Sequence, residues 1–157
     1  MTEQTLSKDA FVALLEPVIA ELAQVSLDDP AAARDEVARR LPADDPRIAT
    51  LREAALSARD SEWLLPRAAG EIRYGRVVKD LAGFSVDAVL MAGPGPRHRH
   101  PNGEIDLCFT TAGAPRFDGQ APGWVVYGAD SVHVPTVKDG EMLILYFLPG
   151  GAIEFLQ

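Results

Sequence analysis

The three histidines of this chain are gathered close together. His98, His100 and His133 lie in two segments rich in glycine and strand-forming residues, and Glu104 completes the pattern His-x-His-x3-Glu. Side chains two residues apart on a strand project from the same face, so His98 and His100 can point into a common interior. Three imidazoles and one carboxylate can hold a divalent cation and leave positions open for water or substrate. The sequence therefore predicts a metal site between strands.

The residues between the predicted ligands indicate how they converge. Pro101, Asn102 and Gly103 predict a turn that swings Glu104 back towards the two histidines, and His133 arrives from a later strand. The ligand set suits Fe(II), which is our first expectation, and also Mn(II), Zn(II), Ni(II) or Cu(II). The alternative, in which the imidazoles are ordinary surface or core groups, is opposed by the absence of any other histidine.

The acidic composition limits the partners of the chain. Its 157 residues carry a formal net charge of -8, whereas a nucleic-acid surface needs clustered lysine and arginine. No apolar stretch approaches the roughly 20 residues that cross a bilayer. We expect a cytoplasmic protein that binds a small molecule and neither nucleic acid nor membrane. The single Cys108 is expected to pack as a small buried hydrophobic residue.

The first part of the chain, residues 1–66, reads as a helical region of about three helices. Ser7 is the predicted N-cap of the first helix, whose apolar residues recur at three- and four-residue intervals. Asp29-Pro30 and Asp45-Pro46 each place a capping aspartate before a proline at the first helical position. The third helix is expected to end near residues 59–60. The apolar stripes should pack against the rest of the chain or against a second subunit.

From residue 67 to residue 157 the sequence changes to short runs of β-branched and aromatic residues divided by Gly, Pro and Asp. This pattern of short strands predicts a mainly β barrel or sandwich. The lack of crossover helices between the strands disfavours a doubly wound fold. The predicted strands are Ile72–Val78, Phe84–Ala92, Glu104–Thr110, Gly123–Tyr127, Ser131–Val134, Glu141–Phe147 and Ile153–Leu156.

Two segments resemble the motifs of small cupins. Gly93–Glu104 is similar to the first motif, with a glycine, His-x-His and a glutamate, and Gly123–His133 is similar to the second, which carries the last histidine. The departures concern turns, such as Gly128 and Asp130 where proline and glycine are common. The resemblance implies a cupin-type small β-barrel, the double-stranded β-helix or jelly roll, with the four predicted ligands around one metal ion. Cupins often pair, so a homodimer is expected.

A narrower resemblance extends over nearly the whole chain. The helical N-terminus together with Glu71–Arg76, His98–Asp106 and Gly140–Gly151 looks like the 4-hydroxylaminobenzoate lyase family of bacterial nitroarene degradation. This resemblance implies a lyase that converts 4-hydroxylaminobenzoate, a small aromatic carboxylate, into 3,4-dihydroxybenzoate and ammonia. The alternatives are an Fe(II)-dependent cupin dioxygenase and a noncatalytic cupin that binds a small aromatic acid.

The implied substrate needs a cation for its carboxylate, and a guanidinium can bind it with two parallel hydrogen bonds. Arg73 is the first choice and Arg116 the second. Asp106 shares the face of Glu104 and is expected to orient a ligand or relay protons, unless it is a solvated strand end. Tyrosines supply candidate proton donors or aromatic walls, although such residues often only pack. The expected catalytic residues are Glu104, Arg73, Asp106 and Tyr74, and the expected substrate contacts are Arg73, Arg116, Tyr127 and Tyr146.

Overall fold

The computed structural model describes residues 6–156; residues 1–5 and 157, the ends of the two predicted regions, lie outside the described residues. None of the described helices is long and apolar enough to span a bilayer. The described elements are α1 (Lys8–Leu22), α2 (Pro30–Arg40), α3 (Pro46–Ser57), β1 (Arg67–Ala69), β2 (Ile72–Leu81), β3 (Phe84–Met91), β4 (His98–His100), β5 (Glu104–Phe117), β6 (Gly123–Tyr127), β7 (Ser131–His133), β8 (Val137–Pro149) and β9 (Glu154–Phe155).

The three helices begin where the capping signals place them. Ser7 accepts a hydrogen bond from the N–H of Ala10, and the side chains of Asp29 and Asp45 cap α2 and α3 in the same way. The third helix ends at Ser57, slightly before the predicted end. The N–H of Ala58 donates to two carbonyl groups of the last turn, which tightens the helix and closes it.

The strands form two antiparallel sheets. A six-stranded sheet has the order β1-β2-β3-β8-β5-β6, and a three-stranded sheet has the order β7-β4-β9. No continuous ladder joins the two sheets within residues 6–156, so the described strands form a two-sheet jelly roll and not a closed hydrogen-bonded barrel. The prediction of a mainly β, cupin-type fold with three helices is confirmed.

The central strands β5 and β8, which are neighbours in the large sheet, are longer than the sequence indicates. Residues 111–117 contain glycine and proline and therefore read as a loop, yet they continue β5. Pairing with the first part of β8, through Arg116 opposite Lys138 and Phe117 opposite Val137, satisfies their backbone groups. Such pairing between distant segments is invisible to local propensity.

The large sheet is buried on both faces. Its outer face packs against the helices in one apolar core, to which Leu107, Trp124 and Phe147 contribute. Its inner face packs towards the small sheet in a second core that includes Cys108 and Tyr146. Because side chains alternate along β5, its first residues carry Glu104, Asp106 and Cys108 into the inner core. The helices thus shield the back of the sheet that carries the polar site.

A glycine at the β4–β5 turn positions Glu104 beneath the histidines. Gly103 has a φ of +90°, and its N–H donates to the carbonyl of His100 at 3.2 Å. A Cβ atom at this position would lie 2.8 Å from the Leu27 side chain and 2.9 Å from the carbonyl oxygen of Tyr127. Both the backbone conformation and the space therefore require glycine.

Gly103→Ala is expected to lower the free energy of unfolding by more than about 1 kcal/mol, because alanine is strained at this positive φ and collides with backbone. Urea denaturation measures the loss. Gly93→Ala is the matched control, since a Cβ atom added at Gly93 would have no heavy atom within 4 Å. Equal stability of the Gly103 variant and the wild type would contradict the explanation of the turn.

Candidate metal centre

The structure brings the four predicted ligands together between the two sheets. His98 and His100 lie on β4, and His98 pairs with His133 on the neighbouring strand β7. Glu104 opens β5 and reaches them from the large sheet. One ligand atom from each of the four residues lies within 4.8 Å of the others. His98, His100 and Glu104 are buried, and His133 is partly buried.

The inner ring nitrogens of the three histidines converge beside the Glu104 carboxylate. The Nε2 atom of His133 lies 3.2 Å from the Nε2 atoms of both His98 and His100. The Nε2 atoms lie 3.2 Å (His100) and 3.6 Å (His98 and His133) from the Glu104 carboxylate. Both oxygens of that buried carboxylate lack a hydrogen bond of acceptable geometry within the described residues. Buried polar atoms left in this state require a partner.

The outward nitrogens of two imidazoles define where their protons lie. His98 Nδ1 lies 3.1 Å from the carbonyl oxygen of Pro96, which can only accept, so this nitrogen carries the hydrogen. The Ser131 hydroxyl donates to the carbonyl of Gly128, so it accepts from His100 Nδ1 at 2.9 Å. These tautomers, assigned from the hydrogen-bond network, leave both Nε2 lone pairs directed at the common centre.

The third imidazole is held by Asp118. The carboxylate of Asp118 faces His133 Nδ1 at 2.6 Å and also accepts hydrogen bonds from the Tyr127 hydroxyl and the N–H of Thr136. This arrangement orients the ring so that Nε2 faces the centre, as acceptors behind metal-bound histidines commonly do. Sequence analysis missed Asp118 because an aspartate before Gly119 is typical of a turn.

The charges at the centre follow from burial and these contacts. Burial opposes ionisation of Glu104, but the facing imidazoles of His100, His133 and His98, together with Asp106, hold its pKa well below the usual range. Burial lowers the pKa of His133, yet the facing carboxylates of Asp118 and Glu104 raise it overall to about 9. A proton on His133 thus compensates Glu104 when no cation is bound.

Asp106 is buried beside the ligand cluster. Burial and the negative charge of Glu104 raise the pKa of Asp106 well above the usual range, which favours the protonated carboxyl. Both residues project from the inner face of β5, as their spacing predicts. Asp106 is fully buried and is not a solvated strand end.

The donor set fits a divalent cation. Three Nε2 lone pairs and a charged carboxylate meet in a buried pocket, and no proton of their own can satisfy all four groups. Imidazole nitrogen with carboxylate oxygen is a ligand combination for Fe, Mn, Zn or Ni. His98, His100, His133 and Glu104 would hold the ion.

A cavity of about 780 Å³ extends from the centre along the inner face of the large sheet. His98 lines it beside Tyr146, while Tyr74 stands at its more exposed side. Tyr127 is not among its lining residues; its ring packs 4.3 Å from that of His133 and its hydroxyl meets Asp118. Most of the wall is apolar and includes Ile72, Val89, Met91, Leu148, Ile153 and Phe155.

Arg73 and Arg116, the two arginines expected to bind a substrate carboxylate, are not among the residues that line this cavity. Arg73 lies on the opposite face of β2 and donates to the Arg59 carbonyl at 2.9 Å and to the Asp60 carboxylate at 3.3 Å. Arg116 is exposed near the end of β5. Strand alternation instead turns Arg76 towards the cavity with Ile72 and Tyr74.

The two-sheet fold, with its cluster of three histidines and one glutamate, defines a cupin-type protein. Crystal structures described as those of the DMSP lyases RdDddP and RnDddQII match with a TM-score of 0.54 and 14% identity, over 96% of this chain and 100% of that chain. This likeness shows the fold alone. An RmlC-like cupin protein from Ralstonia eutropha JMP134 matches 60% of this chain and 66% of its own, with a TM-score of 0.47 and 17% identity.

Within this class, the chain belongs to the 4-hydroxylaminobenzoate lyase (PnbB) family, whose profile matches residues 13–155. The 4-hydroxylaminobenzoate lyase of Pseudomonas putida is 30% identical over 83 residues, which are 50% of this chain and 47% of the relative. That of Nocardioides sp. (strain LMS-CY) is 29% identical over 91 residues, 53% of this chain and 54% of the relative. The matched regions span about half the length of these relatives.

Removing a ligand is expected to remove the ion. His133→Ala and Glu104→Gln should each reduce bound metal to well below one ion per chain, because a nitrogen donor or the compensating charge is lost. Elemental analysis of purified protein measures the ratio. Glu53→Gln, an exposed position on α3, is the control. Stoichiometric metal in both ligand variants would refute the site.

Asp118→Asn is expected to weaken metal affinity about 10- to 100-fold, since the negative acceptor behind His133 is lost while the ring remains. Competition with a chelating dye measures the affinity. Asp130→Asn is the matched control, because Asp118 and Asp130 both have positive φ, yet Asp130 pairs only with the outer-face Arg99. Equal loss of affinity in the two variants would show that backbone conformation, and not the His133 contact, is responsible.

Proposed function

We propose that this protein is a metal-dependent lyase that converts 4-hydroxylaminobenzoate into 3,4-dihydroxybenzoate and ammonia in the breakdown of nitrobenzoates. The observation that carries the proposal is the convergence of three Nε2 lone pairs and Glu104 at the wall of an apolar cavity. Membership of the 4-hydroxylaminobenzoate lyase family supports the substrate. Because one scaffold can host several chemistries, the reaction is a proposal and the family is the finding.

The proposed reaction needs no oxidant. 4-Hydroxylaminobenzoate and one water molecule together contain the atoms of 3,4-dihydroxybenzoate and ammonia. The N–O bond breaks and its hydroxyl leaves as water, the ring carbon ortho to the C–N carbon gains an oxygen from one water, and hydrolysis of the C=N group by a second water releases ammonia, so that one water is consumed overall. The nitrogen is reduced as the ring is oxidised, so the reaction balances internally. This balance separates the lyase from a dioxygenase, which consumes O2.

The described residues supply the binding site for this chemistry. A divalent ion, Fe(II) by first expectation and Mn, Zn or Ni as alternatives, would supply Lewis acidity for N–O cleavage when bound. The apolar walls can receive one aromatic ring and exclude bulk water from it. His98 and Tyr146 line the part of the cavity next to the centre, so the hydroxylamino group is expected at that end.

We assign proton transfer to Asp106 on β5 and Tyr146 on β8, whose side chains lie on the inner face of the large sheet. The raised pKa of Asp106 favours a proton next to Glu104, and Tyr146 is its direct neighbour across the β5–β8 pair. The Tyr146 hydroxyl contacts only the Met91 sulfur, at 3.7 Å, among the described residues, so it is free to donate to a bound ligand. We assign Tyr146 as the donor to the departing hydroxyl and Asp106 as the group that holds its replacement proton.

The cellular setting rests on the sequence. The acidic composition supports small-molecule partners, and the cytoplasmic location stays an expectation from the sequence. The resemblance to paired cupins supports a homodimer, which stays a prediction.

Anaerobic incubation with 4-hydroxylaminobenzoate tests the reaction. Metal-loaded protein is expected to form 3,4-dihydroxybenzoate and ammonia in equal amounts, measured by chromatography and an ammonia assay. Glu104→Gln is expected to lose more than about 99% of the rate, because the ion is lost with it.

The same assay distinguishes the lyase from a dioxygenase and from a noncatalytic binding protein. Product that forms only with matching consumption of O2 would identify a dioxygenase. Binding of the compound by metal-loaded protein, with neither product formed, would identify a noncatalytic module and remove the lyase proposal.

A further inference from the structure

A row of polar side chains crosses the inner face of the large sheet and leads away from the metal centre. Asp106 lies opposite Tyr146, which lies opposite Asp87, which lies opposite Arg76. Neighbouring strands are about 4.8 Å apart, so three steps along this row cover roughly 14 Å. The side chains at the two ends of the row, of Asp106 and Arg76, shorten the distance that a bound ligand would have to span. The remaining space suits a single aromatic ring with substituents at opposite ends.

Asp87 holds Arg76 by one edge of its guanidinium. Nε donates to Oδ1 at 2.8 Å and Nη2 donates to Oδ2 at 3.2 Å. A guanidinium has five N–H groups, so the edge formed by Nη1 and the second hydrogen of Nη2 remains for another acceptor. No hydrogen bond to Nη1 occurs within residues 6–156. Asp87 thus fixes the plane of the Arg76 guanidinium, whose other edge can still donate two hydrogen bonds.

The other cations of the cavity wall are less constrained. Lys8 begins α1, and Arg67 lies on the short edge strand β1, whose three residues are all exposed. Neither makes an ion pair among the described residues. Ordering a long free side chain around a ligand has an entropic cost that Arg76 has already met through Asp87.

We propose that the free edge of Arg76 is a carboxylate-binding site that selects para-substituted aromatic acids, whose opposite substituent then lies at the metal centre. The inference rests on the proposed function for the identity of that substituent. A planar carboxylate matches the Nη1–Nη2 edge with two parallel hydrogen bonds. Asp87 is a positioning residue, since it contacts Arg76 and not the ligand.

Binding of an unreactive analogue tests the site without turnover. Isothermal titration of metal-loaded protein is expected to show that 4-aminobenzoate binds at least tenfold more tightly than aniline, which lacks the carboxylate. Arg76→Gln is expected to abolish this preference by weakening only 4-aminobenzoate. Arg76→Lys should recover part of it, because the charge remains but the two-pronged geometry does not. Arg52→Gln, which removes an exposed charge on α3, is the control.

Two further variants distinguish the loss of carboxylate binding from a loss of stability and from a contribution of the neighbouring Arg67. Arg76→Gln combined with Asp87→Asn leaves no unpaired carboxylate, so it should restore any lost thermal stability while 4-aminobenzoate binding stays weak. Arg67→Gln should keep the preference. Unchanged 4-aminobenzoate binding in Arg76→Gln, loss of the preference in Arg67→Gln, or equal binding of both ligands by the wild type would overturn the proposal.

The result can be distinguished from a failure of the proposed reaction. If 4-hydroxylaminobenzoate is not converted but analogue binding depends on Arg76, the carboxylate site stands and the lyase proposal fails. If conversion occurs and Arg76→Gln leaves KM unchanged, the lyase stands and this inference is overturned.

Discussion

The rest of the site depends on one arrangement, in which three imidazole lone pairs and the Glu104 carboxylate face a common buried point. Each group would be costly to bury alone, because a charge or lone pair removed from water needs a partner. Backbone and side-chain acceptors behind the rings hold the Nδ1 protons outward, so the Nε2 atoms of all three rings face the common centre. The site is thus preorganised for a cation, and the tight Gly103 turn is needed to bring Glu104 into it.

The cluster lies on the inner face of a large sheet that is buried on both sides. Helices cover the outer face of the sheet, which leaves the inner face free to carry polar groups next to the small sheet. Along β5, alternate residues serve the two environments: Leu107 and Phe109 meet the helix-side core, while Glu104 and Asp106 enter the interior. A one-residue shift in the β5 register would exchange these roles and destroy the site.

The arginines show what the sequence leaves open. Arg73 and Arg76 lie on the same strand, but an odd spacing places them on opposite faces. The strand has partly buried residues on both faces, so its hydrophobic pattern does not reveal which face is internal. Only the packing of Arg73 against the end of the helical region, and of Arg76 against Asp87, decides the matter. Asp118 escaped notice for a related reason, because its role depends on a histidine from another strand.

Local chemistry in the sequence alone determined the three helix starts, the change from helices to strands, and the cluster of three histidines and one glutamate. Caps, prolines, side-chain alternation and the scarcity of histidine act over a few residues, so they can be read without coordinates. Tertiary structure alone decided the extension of β5 and β8, the orientation of the imidazoles by Asp118 and Ser131, and the arginine that faces the cavity. These features arise from pairing and burial between segments far apart in the chain, and no local pattern records which segments meet.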